Sequence, residues 1–324
     1  MANLGKFRGL SATANTTFAS GVFTLSRHYT QVRQSLWPFP IFGPIDYLIV
    51  GGGGAGGAGQ NAGGSFRIVS GGGGGGGVNE LFNQYLTSKG PFSVVVGTAG
   101  SSPALSNSNT PGGDSSFNGT TSGGGGSGSI TPSSAEGGLG SYNPVTGIRG
   151  GGSFYFASNS GFPKQFVRRA PNGGSAAYGS TSTGATIGGG GGAGGGGATT
   201  GTMTGGNGIT SVITGLGYGG GGNTLQYANM PASGYSGTQS GGTLSTFGAG
   251  YFSSDGQNYV DVRANSGGGG GGLVATSTAG RAGAAGVVVI RYPTGTLSAI
   301  GGTTSTSGIY TLHTFTTNGT FTVL

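Results

Sequence analysis

Seven uninterrupted glycine runs, at residues 51–54, 71–77, 123–126, 188–192, 194–197, 219–222 and 267–272, set the terms on which this chain can fold. Glycine inside a regular helix or strand costs roughly 0.5–1 kcal/mol per residue relative to alanine. Runs of this length therefore need a structure that returns many backbone hydrogen bonds. A left-handed, threefold extended helix of the polyproline type meets that need. Without side chains to hold them apart, such helices pack closely and bond to one another in several directions. The runs are not collagen, because glycine does not fall at every third position and the prolines are scattered. Nor do they read as a flexible linker. Apolar stretches such as "FSVVV" (92–96) and "GVVVIRY" (286–292) lie between them and need partners for their backbone groups.

Composition sharpens this. Glycine and proline, 83 and 12 of 324 residues, together reach the range of low-complexity sequence. Charged residues are only 6% while aromatics reach 10%, the reverse of a chain that cannot collapse. The expectation is an ordered, mostly β or irregular fold. It has a glycine-rich core of polyglycine-II-type helices or β-sandwich strands, one short N-terminal helix and a C-terminal β-hairpin.

Three zones follow. Residues 1–44 form an attachment or docking segment, in which Leu25, Tyr29, Val32 and Leu36 share one face of a predicted helix ahead of Trp37 and Pro38. That helix either covers one end of the glycine core or attaches the chain to a neighbouring subunit. Residues 45–293 form the glycine-rich domain, from "IDYLIV" to the strand ending at Tyr292. Residues 294–324 carry the alternating "GIYTLHTFTTNGTFTVL", where Asn318-Gly319 predicts a two-residue hairpin turn.

The first run also contains a literal G-x-G-x-x-G at Gly51, Gly53 and Gly56. A dinucleotide site needs a helix opening at the last glycine and an acidic residue about 20 positions on. Here a strand-like segment and seven more glycines follow, and the first downstream carboxyl is Glu80. The motif therefore predicts no dinucleotide, and no cofactor is expected.

Other chemistry has little to work with. Six acidic residues, two histidines and no cysteine are thin material for acid–base or nucleophilic catalysis, so the chain is not expected to be an enzyme. His28 and His313 are far apart and read as structural. Asp255 and Asp261 form the nearest carboxyl pair, short of the six to eight oxygens calcium takes, and no metal site is expected. The net charge of +7 comes from dispersed basic residues, with only Arg168-Arg169 adjacent, so nucleic acid is not an expected partner. No run reaches the roughly 20 apolar residues that span a bilayer, and the opening residues lack the apolar core of a signal peptide.

Between the glycine runs lie segments rich in aromatic and small polar residues, the composition of a recognition surface on a rigid scaffold. The contact candidates are Tyr142, Phe154, Tyr155, Phe156, Arg168 and Arg169 within 141–170, and Tyr227, Tyr235, Tyr251, Phe252 and Tyr259 within 225–260. The same aromatics could instead cap a core with few side chains of its own.

The order "DYLIVGGGG", "PFSVVVGTAG", "GAAGVVVIRYP" and "YTLHTFTTNGTFTV", interleaved with glycine blocks, resembles the glycine-rich domain of tailed-bacteriophage virion proteins, tail-fibre and adhesin components among them. The resemblance implies polyglycine helices packed as a sandwich and variable loops at the distal end that bind a host surface glycan or outer-membrane protein. It also implies other virion proteins as partners, a homo-oligomer, and assembly in the host cytoplasm with release by lysis. Two rivals are a subunit that polymerises into an extracellular filament or decorates a capsid through its sheet edges, and an ice-binding protein presenting ordered threonines.

Overall fold

Apolar runs form the central strands, and the glycine runs continue them. The computed structural model describes residues 42–57, 72–102, 110–128, 190, 192–193, 205–223, 247–249, 261–272 and 280–324, and the backbone alone of several paired two-residue strands. The predicted N-terminal helix, with Leu25, Tyr29, Val32, Leu36 and Trp37, lies outside the described residues. The strands used below are β1 (Phe42–Val50), β2 (Val78–Leu86), β3 (Phe92–Val95), β4 (Ser115–Phe117), β5 (Thr120–Ser122), β6 (Ile209–Thr210), β7 (Gly217–Tyr218), β8 (Val287–Pro293), β9 (Ala299–Ile300), β10 (Thr303–Ser307), β11 (Tyr310–Phe315) and β12 (Gly319–Val323).

Two five-stranded antiparallel sheets form a sandwich. Their strand orders are β10-β11-β8-β1-β2 and β9-β12-β3-β4-β5. Ile45, Tyr47 and Ile49 of β1 and Val288, Ile290 and Tyr292 of β8 point between the sheets, against Val94, Phe117, Phe321 and Val323. The Phe117 ring meets Tyr47 edge-on at 5.1 Å and Phe321 at 6.0 Å. The alternate residues Leu48, Val50, Val287 and Val289 face the other side of the first sheet, where the β6–β7 hairpin covers them with Ile209, Ile213 and Tyr218. Both faces of β1 and β8 are thus buried, each large aliphatic side chain contributing about 1.5–3 kcal/mol.

At the C terminus the hairpin turns one step earlier than Asn318-Gly319. β10 and β11 are joined by Gly308 and Ile309, whereas β11 pairs with β8 in one sheet and β12 with β3 in the other. Asn318 is therefore a corner between sheets, and its Oδ1 accepts the Val96 amide at 2.8 Å. His313, buried on β11, has Nδ1 2.7 Å from the Gly301 carbonyl, which can only accept, so Nδ1 carries the proton. Its Nε2 faces the Tyr292 hydroxyl at 3.0 Å.

Beyond the sandwich the strands run on as glycine helices with a period of three. The amides of Gly51 and Gly54 donate to the carbonyls of Gly77 and Gly74, those of Gly52 and Ala55 to Gly113 and Thr110, and those of Gly53 and Gly56 to Ala284 and Arg281, over 2.8–3.3 Å. Donors three residues apart reach the same neighbour, whose acceptors step backwards by three. Each of these three neighbours is therefore antiparallel, and each residue of a turn faces a different one, as three residues per turn demands. The carbonyls of the same segment accept from three more: Gly52 and Ala55 from Gly125 and Gly128, Gly53 from Gly100, and Gly54 from Gly270. Segment 51–57 is thus the centre of a lattice, ringed by 72–77, 97–100, 110–113, 123–128, 267–272 and 280–286. A net gain of about 1 kcal/mol per bond offsets the cost of placing glycine there.

Candidate functional site

The lattice has a near end, where strands enter, and a far end, where the chain leaves it. Hydrogen bonds link the last turns level with one another: Ala55 to Thr110 and Gly128, Gly56 to Arg281, Gly190 to Gly222, and Gly272 to Asn223. Segments 58–71, 103–109, 129–189 and 273–279 each start and finish at that far end, and 224–246 starts there. Phe42, by contrast, pairs with Leu86 at the opposite end of the sandwich, and Leu324 bonds to Ser298 beside it. Residues 1–41 therefore join the described body at the pole away from the far end.

This divides the sequence candidates. Tyr142 lies in a two-residue strand paired with Ile148–Arg149, and Tyr155 and Phe156 pair with Val167 and Phe166. All three belong to segment 129–189, which leaves and rejoins the lattice at the far end, but Phe166–Val167 returns to lie beside β2, so the strand pair that carries Tyr155 and Phe156 sits against the sandwich rather than at the far pole. Phe154, Arg168, Arg169, Tyr227 and Tyr235 lie outside the described residues. Tyr251 and Phe252 pair with Val260 and Tyr259, but this pair is rooted elsewhere. Gly248 accepts the Arg263 amide, and Phe247 accepts the amide of Gly220, close to where β7 enters the lattice. Tyr251, Phe252 and Tyr259 thus belong to a segment that leaves from the near end.

The G-x-G-x-x-G glycines are interior lattice residues. Their amides, the groups a pyrophosphate would need, are bonded to the carbonyls of Gly77, Ala284 and Arg281. A Cβ on Gly53 would lie 2.0 Å from the Gly268 carbonyl oxygen and one on Gly56 2.1 Å from that of Gly271. Close backbone approach is the reason for glycine here, and the neighbour approached is another glycine helix.

The titratable residues that the sequence left without a role pin the β6–β7 hairpin to the sheet. Buried Glu80 on β2 accepts the Ser211 hydroxyl at 2.5 Å and the Ile213 amide at 3.3 Å. Arg291 on β8 pairs with Asp46 at 3.0 Å, donates to the carbonyls of Val212 and Ile213, and lies over the Tyr310 ring at 4.5 Å. Arg263 donates to the Gly217 carbonyl and covers the Tyr218 ring. Burial pushes the Tyr218 hydroxyl above its usual range, opposed by the Thr214 hydrogen bond and by Arg263. The signal for one pin was in the sequence: β1 and β8 each carry one charged residue in an apolar run, and Asp46 and Arg291 fall opposite each other in the antiparallel register.

Among the described residues no three His, Cys, Asp or Glu side chains gather to hold a metal, and no helix is long and apolar enough to cross a membrane. Asp255, one half of the nearest carboxyl pair, lies outside them, while Asp261 is exposed. No curated protein and no solved structure matches the chain. Residues 30–293 match a family model described as a glycine-rich domain, a span that takes in the whole lattice and most of the sandwich. The chain belongs to the glycine-rich domain family.

Proposed function

We propose that this protein is a non-enzymatic virion protein of a tailed bacteriophage, a tail fibre or fibre-tip adhesin that holds a host surface glycan or outer-membrane protein. One observation carries the reading: the longest non-lattice segment, 129–189, starts and finishes at the end of a rigid scaffold opposite the pole where residues 1–41 join. A rigid body entered by residues 1–41 at one pole, with Tyr-, Ser- and Asn-rich segments leaving it at the other, suits a binding module. Charge fits the same layout. Residues described with their side chains balance, with Lys89, Arg263, Arg281 and Arg291 against Asp46, Glu80, Asp114 and Asp261. The far-end segments hold Arg67, Arg149, Lys164, Arg168 and Arg169 against Glu136 alone, which favours an anionic surface such as an acidic or phosphorylated glycan.

Adsorption competition tests this. The purified chain is expected to block attachment of the phage to its host, and the Tyr155→Ala/Phe156→Ala variant to block it at least tenfold less well with an unchanged unfolding transition. Full competition by that variant would remove these residues from the contact, and no competition by the parent chain would remove the adhesin reading.

A structural subunit of a filament or capsid decoration is the second reading, favoured by the exposed edge of β10. Self-association into a repeating array at low concentration would support it over the first.

A further inference from the structure

β10 is the outer strand of the first sheet, bonded to β11 on one side only, and all five residues Thr303–Ser307 are exposed. Natural edge strands are guarded by charge, proline, bulges or a cover, because unpaired N–H and C=O groups template pairing with another chain. Among the described residues none of these guards is here. No charged residue or proline occurs from Gly301 to Ile309, and the pairing with β11 runs without a register shift. The two-residue loop Gly308-Ile309, with Gly308 at φ +57°, makes Ser307 and Tyr310 a pair that exchanges both hydrogen bonds. Alternation then turns Thr303, Ser305 and Ser307 inwards, and Thr304 and Thr306 present their N–H and C=O outwards.

We propose that this edge binds the same edge of a second copy, antiparallel about a two-fold axis at Ser305, to give one continuous ten-stranded sheet. The strand is self-complementary in that register. Thr304 of each copy faces Thr306 of the other, so the outward groups exchange four N–H···O=C bonds. Thr303 faces Ser307, and Ser305 faces its own copy, so every cross-strand pair is hydroxyl with hydroxyl and no like charges oppose. The flanks agree. Ile309 is 72% exposed at one end of the strand and Ile300 54% exposed beyond the other. The two-fold register brings each Ile309 to the Gly301 end of the other copy, next to Ile300. Both apolar side chains then lose water at a closed, isologous interface.

Antiparallel pairing points the two lattices away from each other, so the dimer carries its far ends at opposite poles. This goes beyond the adhesin reading and does not rest on it, since assembly is read by mass and attachment by binding.

Sedimentation velocity on the full chain from about 1 μM to 1 mM, the range of weak interfaces, tests the proposal. The parent chain is expected to form a dimer, and Ser305→Lys and Ser305→Asp, which set like charges opposite each other on the axis, to remain monomers with unchanged circular dichroism and unfolding midpoint. An equimolar mixture of the two variants is expected to restore the dimer, because Lys then faces Asp. A monomeric parent chain throughout that range, a dimer that survives in Ser305→Lys alone, or open-ended filaments would each overturn it.

Discussion

Gly54 and Gly126 approach so closely that a methyl group on Gly54 would sit 2.0 Å from the Gly126 carbonyl oxygen. The obstacle is backbone, fixed in turn by its bond from Gly74, so it has no rotamer to escape into. Gly54→Ala is expected to lose at least about 3 kcal/mol, the upper range of overpacking. Gly215 is the comparison: its φ is +73° but nothing lies within 4 Å of a Cβ, so alanine there meets only backbone strain of about 1–2 kcal/mol. Denaturant midpoints decide it. Equal losses at the two sites would mean that the lattice yields, contrary to its packing.

Glu80 is the most buried link between the β6–β7 hairpin and the sheet. Glu80→Ala leaves the Ser211 hydroxyl and the Ile213 amide without their acceptor and opens a gap. A loss of about 2–4 kcal/mol is expected. Glu80→Gln keeps an acceptor oxygen in place and is expected to lose less than half as much. Were Gln as damaging as Ala by thermal unfolding, something other than these two hydrogen bonds would be at work.

Arg291 acts on the same hairpin from β8 through Asp46, two carbonyls and the Tyr310 ring. The pair is partly shielded, with side-chain exposures of 13% and 15%. Arg291→Met, which keeps length but no donor, is expected to cost about 1–3 kcal/mol. Amide exchange should rise in residues 211–216 before it rises in β1. Unchanged exchange there would show that the apolar contacts of Ile213 hold the hairpin alone.

Alkaline pH should unfold this protein through its tyrosines. Burial raises the hydroxyl pKa values of Tyr47, Tyr218 and Tyr292 above the usual 10.0; Thr120 opposes the shift at Tyr47, Thr214 and Arg263 at Tyr218, and Ala299 at Tyr292. The folded state therefore keeps protons that the unfolded chain releases. The stabilisation is fully present below about pH 10 and is lost as pH rises through the folded values. Urea midpoints taken across that range are expected to fall, and to fall less steeply in Tyr47→Phe. An identical slope in the variant would clear Tyr47 of any part in the decline.

Much of this architecture is readable from residues in order. The apolar runs at 45–50 and 287–292 announce strands, and the glycine runs announce helices of three residues per turn that bond sideways. Polyglycine helices and sandwich strands are both present, in series, because strands such as β1, β2, β5 and β8 adjoin glycine segments. Long-range register is where reading stops. Asn318-Gly319 has the residues of a hairpin turn, yet β11 and β12 part to different sheets, since Phe315 and Phe321 both reach the core only across that corner. The β6–β7 hairpin and its partner Glu80 are separated by 131 residues, and no local pattern joins them. Likewise the near-end root of Tyr251, Phe252 and Tyr259 depends on Phe247 returning to Gly220, a contact that composition does not encode.

Immunogold electron microscopy of phage particles, with antibody raised against the purified chain, tests the central claim most directly. Gold confined to fibre tips is the predicted result. Gold spread along a filament or over a capsid, or particles that bind no antibody, would contradict the adhesin reading.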